Sequence, residues 1–281
     1  MAARQVYGTN PVRELIKKRA DDVVVVYLLE GETGPALHAL RAELATRKVP
    51  VEQRTRAELD LIAGDGSRHQ GVIAVAGEYP YSTPADMLKR AADAGVPPLI
   101  LALDGVQDPH NLGALVRSAH VLGAHGVIVP KDRAAQVTPA VVKTSAGATE
   151  HMAIAQVVNL TRALEELKQE GLWIAGACFD DGQGQGKAKA SKIQPPWEVD
   201  LTGPIALVIG AEGKGIRPLV ERTCDLRIEI PMVAGVASLN AAAAGAVLLY
   251  EARRQRSQAA SATAEADAEA DVETDVETDD D

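Results

Sequence analysis

Leu99-Ile100-Leu101-Ala102-Leu103-Asp104-Gly105-Val106-Gln107-Asp108-Pro109-His110-Asn111-Leu112-Gly113 passes from unbroken apolar residues through a polar turn into a helical pattern. An apolar run without alternation describes a strand buried on both faces, as in a parallel sheet covered by two layers of helix. From Leu112 the apolar positions Leu115, Val116, Ala119 and Leu122 share one helix face, and Arg117 projects away from that stripe. Strand, turn and helix in this order form the unit of an open α/β sheet, which binds ligands beyond the carboxyl ends of its strands.

The unit repeats toward the C-terminus. The pattern predicts strands over 126–129, 151–157, 173–178, 205–209 and 226–230, and helices over 112–122, 139–146, 160–170, 216–221 and 238–256. Residues 1–80 alternate on a shorter period, with strands expected at 23–29, 49–53 and 71–76. Helices are expected at 11–19 and 35–47, and a third follows Thr55 as its N-cap. This reads as a small α/β domain, followed by a proline-rich linker over 81–98 and a larger α/β domain over 99–256. Residues 180–196, with Lys187, Lys189 and Lys192 among glycines, read as a mobile basic loop.

Composition narrows the function classes. The chain has 281 residues, 46% of them apolar, enough for a sizeable core. Its net charge of −10 is unevenly placed: ten of the 39 acids lie in 257–281, which has no Lys or Arg, leaving 29 charges of each sign in residues 1–256. A neutral body can carry basic patches for an RNA, and such residues cluster at Arg13, Lys17, Lys18 and Arg19 and at Arg47, Lys48, Arg54 and Arg56. The acidic tail is expected to be disordered, because it cannot bury enough apolar surface. Two cysteines without metal-ligand spacing argue against a zinc site or a disulfide scaffold, and His110, His120, His125 and His151 read as ordinary histidines. The start lacks the apolar core of a signal peptide and no apolar run is long enough to span a bilayer, so a cytosolic protein with no membrane association is expected.

Three segments carry the candidate chemistry. In the first, Asn111 reads either as a helix N-cap beside a solvated Arg117, or as part of a site in which Arg117 faces a phosphate. In the second, Gly210-Ala211-Glu212-Gly213-Lys214-Gly215 departs from a Walker loop in spacing, and Glu212 would repel a phosphate chain, so the segment reads either as a site for a neutral or cationic ligand or as a tight strand-to-helix turn alone. In the third, Ser238 reads as N-cap of the last helix, with Asn240 two residues inside it, where a poor helix former needs another reason.

Together these segments, with Val6-Tyr7-Gly8 and His69-Gln70-Gly71-Val72-Ile73-Ala74, resemble the motifs of the TrmH family of the SPOUT superfamily, in particular its members that methylate a guanosine ribose in large-subunit ribosomal RNA. The resemblance covers about residues 5–256. It implies a SPOUT-type α/β domain with a parallel sheet and a C-terminal trefoil knot behind a small RNA-binding domain. The implied activity is ribose 2′-O-methylation with S-adenosylmethionine by a homodimer without a metal. Position by position it implies catalytic and RNA-contacting roles for Asn111, Arg117, Glu212, Ser238 and Asn240, and cofactor contacts from Gly210, Ile230, Met232 and Leu239. Relatives commonly carry further hydroxyls where this chain reads Ala237-Ser238-Leu239-Asn240-Ala241-Ala242-Ala243, so helper contacts from those side chains are missing. The alternatives are the same transfer on a transfer RNA, and a non-catalytic RNA-binding or ribosome-assembly protein.

Overall fold

The computed structural model describes residues 3–31, 34–64, 68–178, 193–233 and 239–276. The chain opens with β1 (Arg4–Tyr7), α1 (Thr9–Arg19), β2 (Val23–Leu29), α2 (Pro35–Thr46), β3 (Val51–Arg54), α3 (Arg56–Ala63) and β4 (Val72–Ala76). These four strands form one sheet in the order β1-β4-β2-β3, with β3 parallel to β2 and the other pairs antiparallel. One face buries Val12, Leu15 and Ile16 of α1 and Leu37, Leu40 and Leu44 of α2 against Val6, Val26, Leu28 and Ala74. The other face packs Leu59 of α3 on Tyr7 and Ile73. As the sequence predicts, Thr55 caps α3, in a reciprocal box with Glu58. β1 is not visible in periodicity, since four residues that pair only with distant β4 carry no local signal.

The motif His69-Gln70-Gly71 turns out to hold this sheet together. Buried His69 accepts at Nδ1 from the Gly71 amide (3.1 Å), which leaves Nε2 to donate to Asp60 (2.9 Å). Gln70 accepts from the Thr9 amide (3.0 Å) at the start of α1.

The chain continues through α4 (Pro84–Asp93), β5 (Leu99–Asp104), α5 (Pro109–Val121), β6 (Gly126–Pro130), α6 (Pro139–Thr144), β7 (Ile154–Val157), α7 (Leu160–Gln169) and β8 (Trp173–Ala177). It ends with β9 (Ile193–Gln194), β10 (Ile205–Gly210), α8 (Pro218–Thr223), β11 (Leu226–Ile228) and α9 (Ala241–Val276). The second sheet is wholly parallel, in the order β7-β6-β5-β10-β8-β11-β9. Strand periodicity sorts its core: Leu99, Leu101 and Leu103 with Leu207 and Ile209 face α5 and α9, whereas Ile100 and Ala102 with Ala206 and Val208 face α4, α7 and α8. The residues read as a linker are therefore packed, with Met87 of α4 fully buried against the sheet.

Several local expectations are corrected. The helix after β5 begins at Pro109 with Asp108 as its cap, so Asn111 lies inside the first turn. The strand expected from 151 starts at Ile154, because Ala148–Glu150 close a 3₁₀ turn first. Asn240 is the cap of α9 rather than a residue within it: its Oδ1 accepts from the amides of Ala242 (2.8 Å) and Ala243 (3.2 Å). The tail expected to be disordered continues α9 through Val276. Helical backbone bonds are local and need no buried face, and alanine, the best helix former, recurs there with no Gly or Pro to stop the helix. The basic loop at Lys187, Lys189 and Lys192, and Ser238, lie outside the described residues.

Candidate active site

β5 and β10 are neighbours in register, with Asp104 beside Gly210. Both strands end at the same edge, and each feeds a loop that bears a candidate residue. After β10 the chain closes on itself: the Ala211 amide donates to the Gly215 carbonyl (3.1 Å) and the Gly215 amide returns to Ala211 (2.9 Å). Gly213 and Gly215 turn through positive φ (71° and 64°), and a Cβ at Gly210 would overlap the Gly215 carbonyl and the Ile216 amide. Only glycines permit a loop this tight, which presents Glu212 at its tip.

Glu212 is gripped from both sides. Asn111 Nδ2 donates to Glu212 Oε1 (3.0 Å), Asn240 Nδ2 donates to the same oxygen (2.6 Å), and Asn240 Nδ2 also donates to Asn111 Oδ1 (2.9 Å). Residues 101 positions apart in the first contact and 129 in the third thus close a triangle. Asn111 is buried, while Glu212 and Asn240 are exposed, so the carboxylate is fixed yet open to a ligand. The capping role of Asn240 aims its amide nitrogen: with Oδ1 committed to the helix, Nδ2 points at Glu212 and Asn111.

Arg117 does not join the triangle. Leu115 meets Gly245 and Gly123 approaches Arg253, so α5 and α9 run side by side in the same direction, with Arg117 near the level of Val247. Six residues on from Asn111, it lies about 9 Å along the axis and roughly 120° around it. It is exposed and has no hydrogen bond or ion pair among the described residues. Of the positions expected to hold a cofactor, Gly210 closes the loop, Ile230 packs on the core, Met232 is half-buried and Leu239 is 40% exposed.

Asp104 and Arg217 form a tie that sequence reading did not single out. The Asp104 carboxylate, fully buried at the end of β5, accepts from the Arg217 amide (2.7 Å) and from its Nε (2.7 Å), and pairs with its Nη2 (2.6 Å). A forked guanidinium on a buried carboxylate anchors the far side of the Glu212 loop to the neighbouring strand. The only signal was an acid ending an apolar strand. A cleft of about 250 Å³ between Trp173, Glu198 and Ile205 lies at the amino ends of β8 and β10, opposite the triangle. Ligands of open α/β sheets bind at the other edge, so the candidate site is the triangle.

A family model described as the SpoU rRNA Methylase family matches residues 98–250, and another, for RNA 2′-O ribose methyltransferase substrate binding, matches residues 5–82. The chain belongs to the SpoU rRNA methylase family. A 23S rRNA (guanosine-2′-O-)-methyltransferase RlmB of Pseudomonas putida is 42% identical, over 90% of this chain and 96% of its own. One from Vibrio vulnificus is 39% identical, over 91% and 98%. Among solved structures, the SpoU methyltransferase AviRb of Streptomyces viridochromogenes in complex with AdoMet matches with a TM-score of 0.73 and 25% identity, covering 91% of each chain. A TrmH/SpoU tRNA modifying enzyme of A. aeolicus matches with a TM-score of 0.50 and 29% identity, over 62% of this chain and 84% of that one. In this SpoU methylase no helix of the described residues is long and apolar enough to cross a membrane, and no described group of three or more His, Cys, Asp or Glu is placed to hold a metal.

Proposed function

We propose that the chain transfers a methyl group from S-adenosylmethionine to the 2′-hydroxyl of a guanosine ribose in large-subunit ribosomal RNA, in the cytosol. The observation that carries the reading is the triangle of Asn111, Glu212 and Asn240 at the carboxyl ends of β5 and β10. Relatives of the ribosomal RNA type match 90–91% of the chain, and the substrate-binding family model covers the first sheet, which favours ribosomal over transfer RNA.

The residues present fit an adenosyl ligand. Ile230, Met232 and Leu239 offer apolar surface, and the amides of Ile230 and Met232 have no hydrogen-bond partner among the described residues. S-adenosylmethionine supplies an electrophilic methyl on a sulfonium. The 2′-oxygen forms its bond to that carbon as the carbon–sulfur bond breaks, the electron pair stays on sulfur, and the hydroxyl proton passes to water. Glu212, held by its two amides, orients the ribose and the cationic donor, and such positioning is the main contribution an enzyme can make to an in-line attack. Arg117, without a partner among the described residues, anchors the adjacent phosphate and stabilises the developing alkoxide; a guanidinium does not serve as a base in a protein. Ser238 is assigned to the same ribose contact by its motif.

The chain acts as a homodimer in this reading, supported by exposed Val121, Val247 and Tyr250 on the paired helices α5 and α9. A second copy docked there covers the flank that carries Arg117. The trefoil knot belongs to the same proposal, supported by the late strand β10 lying between β5 and β8. We divide the chain into an RNA-binding domain over 1–80, a linker over 81–98 and a catalytic domain over 99–256. Mapping 2′-O-methyl groups in ribosomal and transfer RNA from cells with and without the protein tests the reading. Loss of one guanosine mark in large-subunit RNA is expected; a lost mark in transfer RNA, or none lost, overturns it.

A further inference from the structure

The two sheets are not joined by a tether alone. The segment from α6 through the 3₁₀ turn, residues 139–151, leaves the parallel sheet and enters the first unit. Val142 is buried within the core cluster of the first sheet, with Val6, Val12 and Leu15. Lys143 donates to the Arg68 carbonyl (3.0 Å) and lies over the Tyr7 ring. Gly147 backs so closely on α1 that a Cβ there would come within 2.9 Å of Glu14 Cβ and 3.2 Å of Pro11 Cα. His151 Nε2 meets Glu14 Oε2 at 2.7 Å.

At the centre of this contact is Glu150, whose side chain is wholly buried. Arg4 of β1 grips it with both terminal nitrogens (2.8 and 3.1 Å), and Arg19, at the end of α1, stands 3.7 Å away. Both guanidinium groups also lie over the ring of Tyr79 (5.2 and 5.5 Å), whose hydroxyl donates to the Thr149 carbonyl (2.7 Å). A carboxylate out of water with two cations from the first unit demands fixed geometry, because losing the partner that grips it strands a buried charge.

The opposite side of the same segment presses on the site helix. Gly113 of α5, two residues beyond Asn111, has room for no side chain: a Cβ would lie 2.7 Å from Thr144 Cβ and 3.0 Å from the Val141 carbonyl. Thr144 also hydrogen-bonds His110 (3.3 Å). The intervening chain gives no slack, since the Ser82 amide donates to the Ile154 carbonyl (2.8 Å) and Met87 is buried.

We infer that residues 139–151 form a rigid wedge registering the first sheet against helix α5, and that Glu150, clamped by Arg4, is a positioning residue setting the span between the RNA-holding surface and the triangle. The inference rests on the methyltransferase reading for its kinetic consequence only. A rigid span lets phosphate contacts on one sheet choose which ribose reaches the other, as a hinge would not.

The test uses the full chain with Glu150→Gln, Arg4→Gln and the milder Lys143→Ala, which strands no buried carboxylate. Each is measured by small-angle X-ray scattering, by calorimetric titration with S-adenosylmethionine, and by methyl transfer to an in-vitro transcript of 23S ribosomal RNA. The first two variants are expected to enlarge the maximum dimension and raise KM for the transcript at least tenfold. Affinity for S-adenosylmethionine and kcat should change less than twofold. Lys143→Ala should raise KM about threefold. Unchanged scattering and KM in all three variants overturn the wedge, as does a loss of S-adenosylmethionine binding in step with the rise in KM. If the unaltered chain methylates no transcript, the enzymatic reading fails, while scattering still decides whether the clamp holds the two sheets.

Discussion

At the scale of single residues, the carboxylate of Glu212 is exposed and yet held by two side-chain amides. Glu212→Gln keeps the size but replaces an oxygen that two amides share, and it is expected to slow methyl transfer about 100-fold while leaving the thermal midpoint almost unchanged. Single-turnover transfer to ribosomal RNA measures it. Arg117→Lys keeps the charge without the fork; turnover is expected to fall at least about tenfold, and near-full activity would remove the bidentate role. These candidates were legible through the resemblance of three separated segments to family motifs; taken singly, Asn111 reads equally as a helix cap and Glu212 as part of a tight turn. The capping position of Asn240 was not legible, since a cap is defined by where the helix begins, and Ser238 offered an equally good cap two residues earlier.

At the scale of elements, α9 is tied to the sheet by one residue that sequence reading passed over. Arg256 donates to four carbonyls, those of Pro97, Pro98, Leu201 and Gly203, at 2.6 to 3.1 Å, with no carboxylate among its hydrogen-bond partners in the described residues. Burial lowers its pKa, so the carbonyl oxygens are what hold the charge in place. Arg256→Ala leaves those acceptors unpaired and is expected to cost about 3 kcal/mol, read as a fall of about 6–12 °C in thermal midpoint. Beyond this anchor α9 carries six of the ten acids of residues 257–281. Deleting residues 257–281 is expected to raise affinity for arbitrary RNA several-fold at low salt, measured by filter binding, because the acids oppose the exposed cations Lys18, Lys48, Arg56 and Arg68. No change in affinity would end that idea. Other basic residues of the first unit are less available than the sequence suggested: Arg13 pairs with Glu43, Arg54 with Glu52 and Lys17 with Glu14.

For the whole molecule, the junction between the two sheets titrates. Glu14 is held below its usual range: its partial burial acts in the opposite sense, but is outweighed by hydrogen bonds from Lys17 and His151 and by their charges. His120, stacked on His151 (5.2 Å between rings), is lowered by burial and by repulsion from His151. Both groups bind protons more weakly folded than unfolded, so both make stability rise with pH. The contribution from His120 is complete above its ordinary value of 6.5 and is lost as pH falls below it; that from Glu14 follows below 4.5. The thermal midpoint is therefore expected to fall as pH is lowered from 7 to 5, with a shallower slope in His120→Gln. An unchanged slope in that variant would show that His120 does not couple to folding.

The sequence by itself determined the layered α/β architecture, because strands buried on both faces and helices with one apolar stripe leave few ways to hide their apolar surface. It also wrote the tight glycine loop that carries Glu212 in consecutive positions. What only the tertiary structure decided is which distant groups meet: Asn111 with Glu212 and Asn240, Asp104 with Arg217, and Glu150 with Arg4. Periodicity reports the environment of a residue averaged over its neighbours in the chain. The partner of a buried charge or amide is set by how whole elements pack, and no local pattern records that choice.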